Sequence, residues 1–440
     1  MIYNTYKKEV QSLLSFKSVS TDLVFKPEIE KTVNWLQQYF TDNKFTAKRI
    51  DGYGNPVVVA RYIKDPNLET YFIYGHYDVQ PASQDDGWDS DPFTLTEKEG
   101  RLYARGVVDN KGQFMIHLVS IIELIKSNEL NKNIIFVVEG DEETGGDGIS
   151  RLFNEQPELF KADHYIISDG EMPYQPVITA SFRGTTNLTV KLTTANNNLH
   201  SGLYGGAIPG ATIEAAKLIA NMYDDNNKIT TPNFYRDNID PSNQEKQQCL
   251  EMDKIKQDTL KQTGVKKWFT EKTGSICGAI AFETMIMPSS LLGGYTGSGY
   301  SNIVPSSASI KFNFRIAANQ SVDKMIELFK EYIKNVIPSY VTAQIIEIQS
   351  KNDPIKIDIT SPIHKKAIEM LKNVYGKEVL IDYCGATLPI VVDIKKVFGA
   401  DPVLISLAND DCNMHGVNEN YNINLIKKGL EFSTKFFSEK

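Results

Sequence analysis

Four short apolar runs in this sequence end in residues that could bind a cation or move a proton. Residues 71–74 run into Gly75-His76-Tyr77-Asp78, and 134–138 into Glu139-Gly140-Asp141-Glu142-Glu143. Residues 165–167 run into Ser168-Asp169-Gly170, and 403–407 are followed by Asn413-Met414-His415-Gly416. Neutral imidazole and carboxylate are ligands for zinc, manganese or cobalt. A His and an Asp two residues apart suit one group binding metal while the other orients it. Adjacent Glu142 and Glu143 suit a division in which one binds metal and the other handles protons. Taken singly, each stretch is ordinary: a His after a strand is more often a satisfied polar group, and acidic Gly-rich stretches are usually turns. With six histidines in the chain, any such site draws on a short list. His117 lies inside an apolar helical pattern and reads as core. His164 opens a strand and reads as structural, and His364 reads as exposed in the first turn of a helix.

The elements that would position these residues follow from apolar patterning. The short runs read as buried strands, and 114–125 between the first two reads as a helix. Ile29, Val33, Leu36 and Phe40 recur at helical spacing. Strands alternating with helices predict an α/β catalytic domain, a mixed sheet with helices on both faces. In open sheets of this kind ligands sit outside the carboxyl ends of strands. The middle of the chain differs. Leu188, Val190 and Leu192, and then Ala308, Ile310, Phe312, Phe314 and Ile316, alternate with polar residues. Residues 209–222 and 322–333 read as amphipathic helices, so the middle predicts an inserted α+β two-layer domain. Residues 223–245, rich in Asn, Asp and Pro, read as a loop. The α/β pattern resumes near Ser361, an N-cap with Pro362 at the first helical position. The expected boundaries are 1–180 and 358–440 for the first domain and 181–357 for the insertion.

Composition excludes several partners. Lys and Arg number 47 against 55 Asp and Glu, a formal charge of −8 with no basic block, which argues against nucleic acid. No apolar run approaches ~18 residues, so no membrane span is expected. The first residues lack the apolar core of a secretory signal. Cys249, Cys277, Cys384 and Cys412 are widely spaced and form no CxxC, so neither a disulfide framework nor a zinc ribbon is expected. Reduced thiols and a cytoplasmic location are the expectation.

The motifs also occur in a telling order. GHYDVQP (75–81), RGVVDNKG (105–112), EGDEETGG (139–146), SDG (168–170), LHSGLYGG (199–206) and HGVNE (415–419) succeed one another over nearly the whole chain. The series resembles that of the co-catalytic-metal peptidases of the aminoacylase/carnosinase superfamily. The resemblance implies a di-zinc peptidase type of catalytic domain with an inserted lid and dimerisation domain. It implies two divalent ions, zinc, manganese or cobalt. His76 and Asp169 would bind one, Glu143 and His415 the other, and Asp109 both, with a cis peptide bond to Asn110. Asp78 would orient His76, and Glu142 would be the general base acting on a metal-bridging hydroxide. His200 would reach the partner subunit's site in a homodimer and donate to the scissile carbonyl oxygen. Arg315 would hold the substrate's terminal carboxylate, with Asn302, Gly385 and Thr387 as further substrate contacts.

Three features resemble the carnosinase-like dipeptidase branch: Gln80 before Pro81, the stretch LHSGLYGGAIPGA (199–211), and the long 223–290 excursion. The implied activity is metal-dependent hydrolysis of dipeptides or short peptides with a free C-terminal carboxylate. N-acyl-amino-acid amidohydrolysis (deacetylase or desuccinylase) is the alternative, and an inactive metal-binding scaffold the second. Two departures bear on substrate recognition. Tyr383 stands where relatives commonly carry an Arg before Gly-Gly, with Ala386 in place of the second Gly, and Ser361 stands where some dipeptidases carry a His.

Overall fold

The apolar runs that end in candidate ligands become neighbouring strands. In the structure, a computed structural model that describes residues 2–270 and 273–438, Asn133–Glu139, Thr70–His76, His164–Ile167 and Val403–Ser406 lie side by side, each parallel to the next. Val57–Tyr62 and Thr46–Ile50 extend one side antiparallel, and Val177–Phe182 adds antiparallel on the other. The sheet is therefore mixed, with its parallel strands at the centre. Thr70–His76 and Asn133–Glu139 are buried along almost their whole length, which is why they read as unbroken apolar runs rather than as alternating ones.

Side chains alternate across a strand, so Tyr71 and Gly75 share one face and Phe72 points to the other. Helix Lys111–Lys126 covers the first face so closely that a Cβ on Gly75 would sit 2.6 Å from Phe114 Cβ. Tyr71 meets Phe436 and Phe437 of helix Ile423–Ser438 at ring-centroid distances of 6.2 and 5.8 Å. On the other face Phe72 meets Phe153 of helix Gly148–Glu155 at 6.0 Å. Helices thus cover both faces, as expected.

Helix Lys111–Lys126 is buried except at Glu123 and Lys126. His117 in its middle is satisfied by Ser433 Oγ at Nδ1 (3.0 Å) and Ser168 Oγ at Nε2 (2.8 Å). Burial pushes its pKa down to about 4. The unfolded imidazole returns to about 6.5, so the unfolded chain takes the proton first as pH falls. The neutral ring's contribution is complete above about pH 6.5 and drains away toward pH 4, at about 1.4 kcal/mol per unit. The fall in Tm over that window should be shallower for His117→Gln than for the wild type. Parallel profiles would show that His117 has no part in the acid sensitivity.

His364, expected at the surface, is fully buried. In helix Pro362–Tyr375 it shares the inward stripe with Ala367, Leu371 and Val374. Its ring bridges Ser361 Oγ (2.7 Å) and the Pro402 carbonyl (3.2 Å), so a polar residue on an apolar stripe is paired rather than exposed.

The chain divides into two compact units, Met1–Ala180 with Ile357–Asp382 and Asp393–Lys440, and Ser181–Lys356 with Tyr383–Val392. In the second, an antiparallel sheet runs in the order Met285–Gly293, Ser307–Ile316, Gly184–Thr193, Thr342–Asn352. Helices Ala211–Asn221 and Val322–Val336 share one core with its inward residues, among them Leu188, Val190, Ile310, Phe312 and Phe314. The expectation put 383–392 with the catalytic domain, whereas it groups with this unit. Arg183 N–H donates to the Ala386 carbonyl at 3.1 Å, and Thr387 Oγ1 donates to the Arg183 carbonyl at 2.7 Å. The excursion holds three helices that its sequence was not read to contain: Asn243–Ile255, Gln257–Gln262 and Ile276–Phe282. Among the described residues no helix is long and apolar enough to cross a membrane.

Candidate metal centre

The parallel strands bring their carboxyl ends to one edge of the first unit, and the candidate ligands follow from there. His76 is the last residue of its strand. Its Nδ1 lies 3.1 Å from the Asp78 main-chain oxygen and 3.3 Å from the Asp78 carboxylate. With the Nδ1 proton committed there, Nε2 keeps its lone pair for a ligand. That Nε2 is buried and makes no hydrogen bond. Asp78 is held in turn, its Oδ2 accepting from Ser20 Oγ (2.7 Å) and from the Glu143 N–H (3.0 Å).

Asp109 stands just before helix Lys111–Lys126, and the Asp109–Asn110 peptide bond is cis. Asn110 Nδ2 donates to the Ser168 carbonyl and to Asp169 Oδ1, both at 2.8 Å, and so ties the end of one strand to the start of the helix. The loop before Asp109 hangs on Glu419. That buried carboxylate accepts from the N–H groups of Gly106 (2.9 Å), Val108 (2.8 Å) and Asp109 (3.1 Å) and from Arg105 Nη1 (2.8 Å). Glu419 and Asn110 were inside quoted motifs, yet no role could be read for either. Their work is done on main-chain groups and neighbouring ligands, which spacing does not reveal.

Two groups of side chains could each hold a cation: His76, Asp109 and Asp169, and Asp109, Glu143 and His415, with the ligand atoms of each within 4.8 Å of one another. Asp109 Oδ1 is 3.0 Å from His76 Nε2, and Oδ2 is 2.7 Å from His415 Nε2. His76 Nε2 lies 3.8 Å from Asp169 Oδ2, and His415 Nε2 lies 3.4 Å from Glu143 Oε2. Ligand atoms about 2.1 Å from a tetrahedral ion are themselves about 3.4 Å apart, so these spacings suit shared coordination. Glu143 Oε1, like His76 Nε2, is buried without a hydrogen bond, while Oε2 accepts from Gln80 Nε2 at 2.6 Å. The donor set therefore fits two divalent ions.

The electrostatics are those of a cation site. Burial raises Glu143 to about 7 and Asp169 well above the usual carboxylate range, and the Asp109 charge adds to both. Burial alone would raise Asp109 too, but His415 and His76 hold it below that range. Asp109 lifts His415 to about 9. Glu142 opens a short turn of 3-10 helix, Glu142–Thr144, and belongs to neither ligand group. Its carboxyl is raised, chiefly by burial.

The remaining sequence candidates lie in the second unit, in two groups. His200 pairs with Ile303 across a two-stranded ladder, and the Asn302 carbonyl accepts from Ser201 N–H at 2.9 Å. His200 is exposed, and its Nδ1 accepts from Gly202 N–H at 3.0 Å. The ring proton is thereby assigned to Nε2, which is left as a donor. In the other group Arg315 Nη1 donates to Thr387 Oγ1 at 3.2 Å, and Arg183 Nε donates to the Gly385 carbonyl at 3.0 Å. A Cβ on Gly385 would come within 2.2 Å of Ile280 Cγ2, so the chain passes there only without a side chain.

Fold and donor set define a hydrolase of the dinuclear metallopeptidase class. The chain belongs to peptidase family M20/M25/M40, which matches residues 72–439. It is 26% identical over 452 residues to the Cys-Gly metallodipeptidase dug1 of Schizosaccharomyces pombe, covering 97% of this chain and 93% of that protein. It is 29% identical over 367 residues to the cysteinylglycine-S-conjugate dipeptidase of Corynebacterium striatum, covering 81% and 78%. The crystal structure of an M20 family metallo-carboxypeptidase, Sso-CP2 from Sulfolobus solfataricus, superposes with a TM-score of 0.85 at 27% identity, over 98% of both chains.

Proposed function

We propose that this chain hydrolyses the amide bond of dipeptides, or of short peptides, that end in a free carboxylate. The observation that carries the reading is the pair of ligand groups sharing Asp109. In this reading His76, Asp109 and Asp169 hold one divalent ion, zinc or manganese, and Asp109, Glu143 and His415 hold the other. Ions bound there would acidify a water and polarise the scissile carbonyl.

The chain's own residues do the rest. Glu142 accepts the proton of the attacking water, a task suited to a carboxyl raised by burial, and passes it to the leaving amine. Asp78 fixes the ring of His76, so that Nε2 keeps its lone pair. His200 offers Nε2–H to the carbonyl oxygen as negative charge develops there. In this reading, which rests on the family resemblance, the exposed ring serves the partner subunit's site in a homodimer. Arg315, steadied by Thr387, pairs with the substrate's terminal carboxylate. Asn302 and Gly385 complete the substrate contacts. The two similar curated enzymes are both named as dipeptidases, which supports that substrate class. A cytoplasmic location belongs to the same reading.

The test is a panel of dipeptides set against N-acetyl and N-succinyl amino acids, with the enzyme loaded with Mn²⁺ or Zn²⁺. Dipeptides should be cleaved faster, and activity should vanish in chelator and return on adding metal. Faster cleavage of the acylated amino acids would move the protein to the amidohydrolases. Turnover that survives metal removal would overturn the metal assignment.

A further inference from the structure

Cys249 and Cys277 lie 28 residues apart in sequence, yet their Sγ atoms are 3.0 Å apart. Cys249 is buried in helix Asn243–Ile255, and Cys277 is half-buried in helix Ile276–Phe282. The two helices are already joined at this point. Both carboxylate oxygens of Asp253, one turn beyond Cys249, accept N–H groups of the second helix, from Ile276 and Cys277 at 2.8 Å each. A disulfide is about 2.05 Å long, so a movement of about 1 Å separates the thiol pair from the bond.

The segment between the two cysteines is thinly packed among its described residues. Among the described residues between Met252 and Thr273, none is fully buried. Segments with so few buried contacts open at low free-energy cost. A covalent link at their root removes much of the freedom of the opened form. We propose that Cys249 and Cys277 form a reversible disulfide that staples the root of this excursion. The proposal is independent of the peptidase reading.

The oxidant is a low-molecular-weight disulfide. Cys277, the more accessible thiol, attacks it as thiolate and expels one small thiol, leaving a mixed disulfide on Cys277. The sulfur of Cys249 then displaces the second small thiol. Two protein thiols become one disulfide, two electrons reduce the small disulfide to two thiols, and the two protein protons end on them. In a reducing compartment such a bond forms as a transient response and is removed when thiol reductant recovers.

The test treats the full chain with oxidised glutathione, alkylates it under denaturing conditions and maps the peptides. Alkylatable thiols should fall from four to two, with Cys249 and Cys277 in one cross-linked peptide and Cys384 and Cys412 alkylated. Dithiothreitol should reverse the change. Tm should rise by about 5 °C on oxidation, and proteolysis between 253 and 272 should slow. Cys249→Ser and Cys277→Ser should each abolish the shift; the wild-type mapping decides the matter should either variant fail to fold. Four alkylatable thiols after oxidation, a glutathione adduct on Cys277 with Cys249 still alkylated, or an unchanged Tm in the cross-linked protein would each overturn the proposal.

Discussion

Replacing Glu142 with glutamine is expected to lower kcat on the best dipeptide by roughly 10²- to 10⁴-fold and to leave the metal content unchanged. The expectation combines two observations. Glu142 belongs to neither ligand group, so the amide removes no metal ligand. Its carboxyl is raised, chiefly by burial, which suits a group that takes up and hands on a proton. Glutamine keeps the size and cannot take the proton. Turnover close to wild type would remove Glu142 from the role of base, and loss of bound metal would place it among the ligands. The same variant tests the role of His200. Mixing Glu142→Gln subunits with His200→Ala subunits should restore part of the activity, because some hybrid sites regain both residues. Mixtures no more active than their components would argue that His200 does not serve a partner's site.

The second large effect belongs to Asp109. Asp109→Ala should reduce the bound metal from two ions per chain to nearly none and bring turnover to background. Glu143→Gln and Asp169→Asn should each weaken one ion more than the other. The contrast follows from geometry: Asp109 meets His76 through Oδ1 and His415 through Oδ2, whereas Glu143 and Asp169 each join a single group. The Asp109 main chain stays tied to Glu419 through its N–H, so the truncation leaves the loop's anchor in place. Metal analysis after gel filtration reads the result directly. One full ion retained by Asp109→Ala would show that the carboxylate is not shared.

The central sheet was legible because buried parallel strands leave short apolar runs, and because the first polar residues beyond each run mark the strand ends. The stretches holding His76, Glu142 and Glu143, Asp169 and His415 stood out on that ground, whereas the part each residue would play came only from the motif series. Asp109 did not stand out: it follows no strand, and only the motif series pointed to it. Other features were hidden for physical reasons. Helix Asn243–Ile255 buries Glu245, Cys249 and Met252 and little more, so its sequence carries almost no apolar stripe. His364 sits on a stripe that is otherwise apolar, and its partners, Ser361 Oγ and the Pro402 carbonyl, supply what solvent would have. Glu419 acts on N–H groups more than 300 residues earlier in the chain. The approach of Cys249 to Cys277 is likewise a product of folding that spacing does not express.

Glu419 also bears on when the centre comes into being. It and His415 follow every other candidate ligand in chain order, and they reach back to Asp109 and the loop before it. A chain growing from its N-terminus has made His76, Asp109, Glu143 and Asp169 long before either exists. Until then the Asp109 loop lacks the carboxylate on which it hangs, and one ligand group lacks its imidazole. The centre is therefore completed by a late segment closing over early ones. A growing chain that has not yet reached His415 and Glu419 carries most of the candidate ligands but not the complete set.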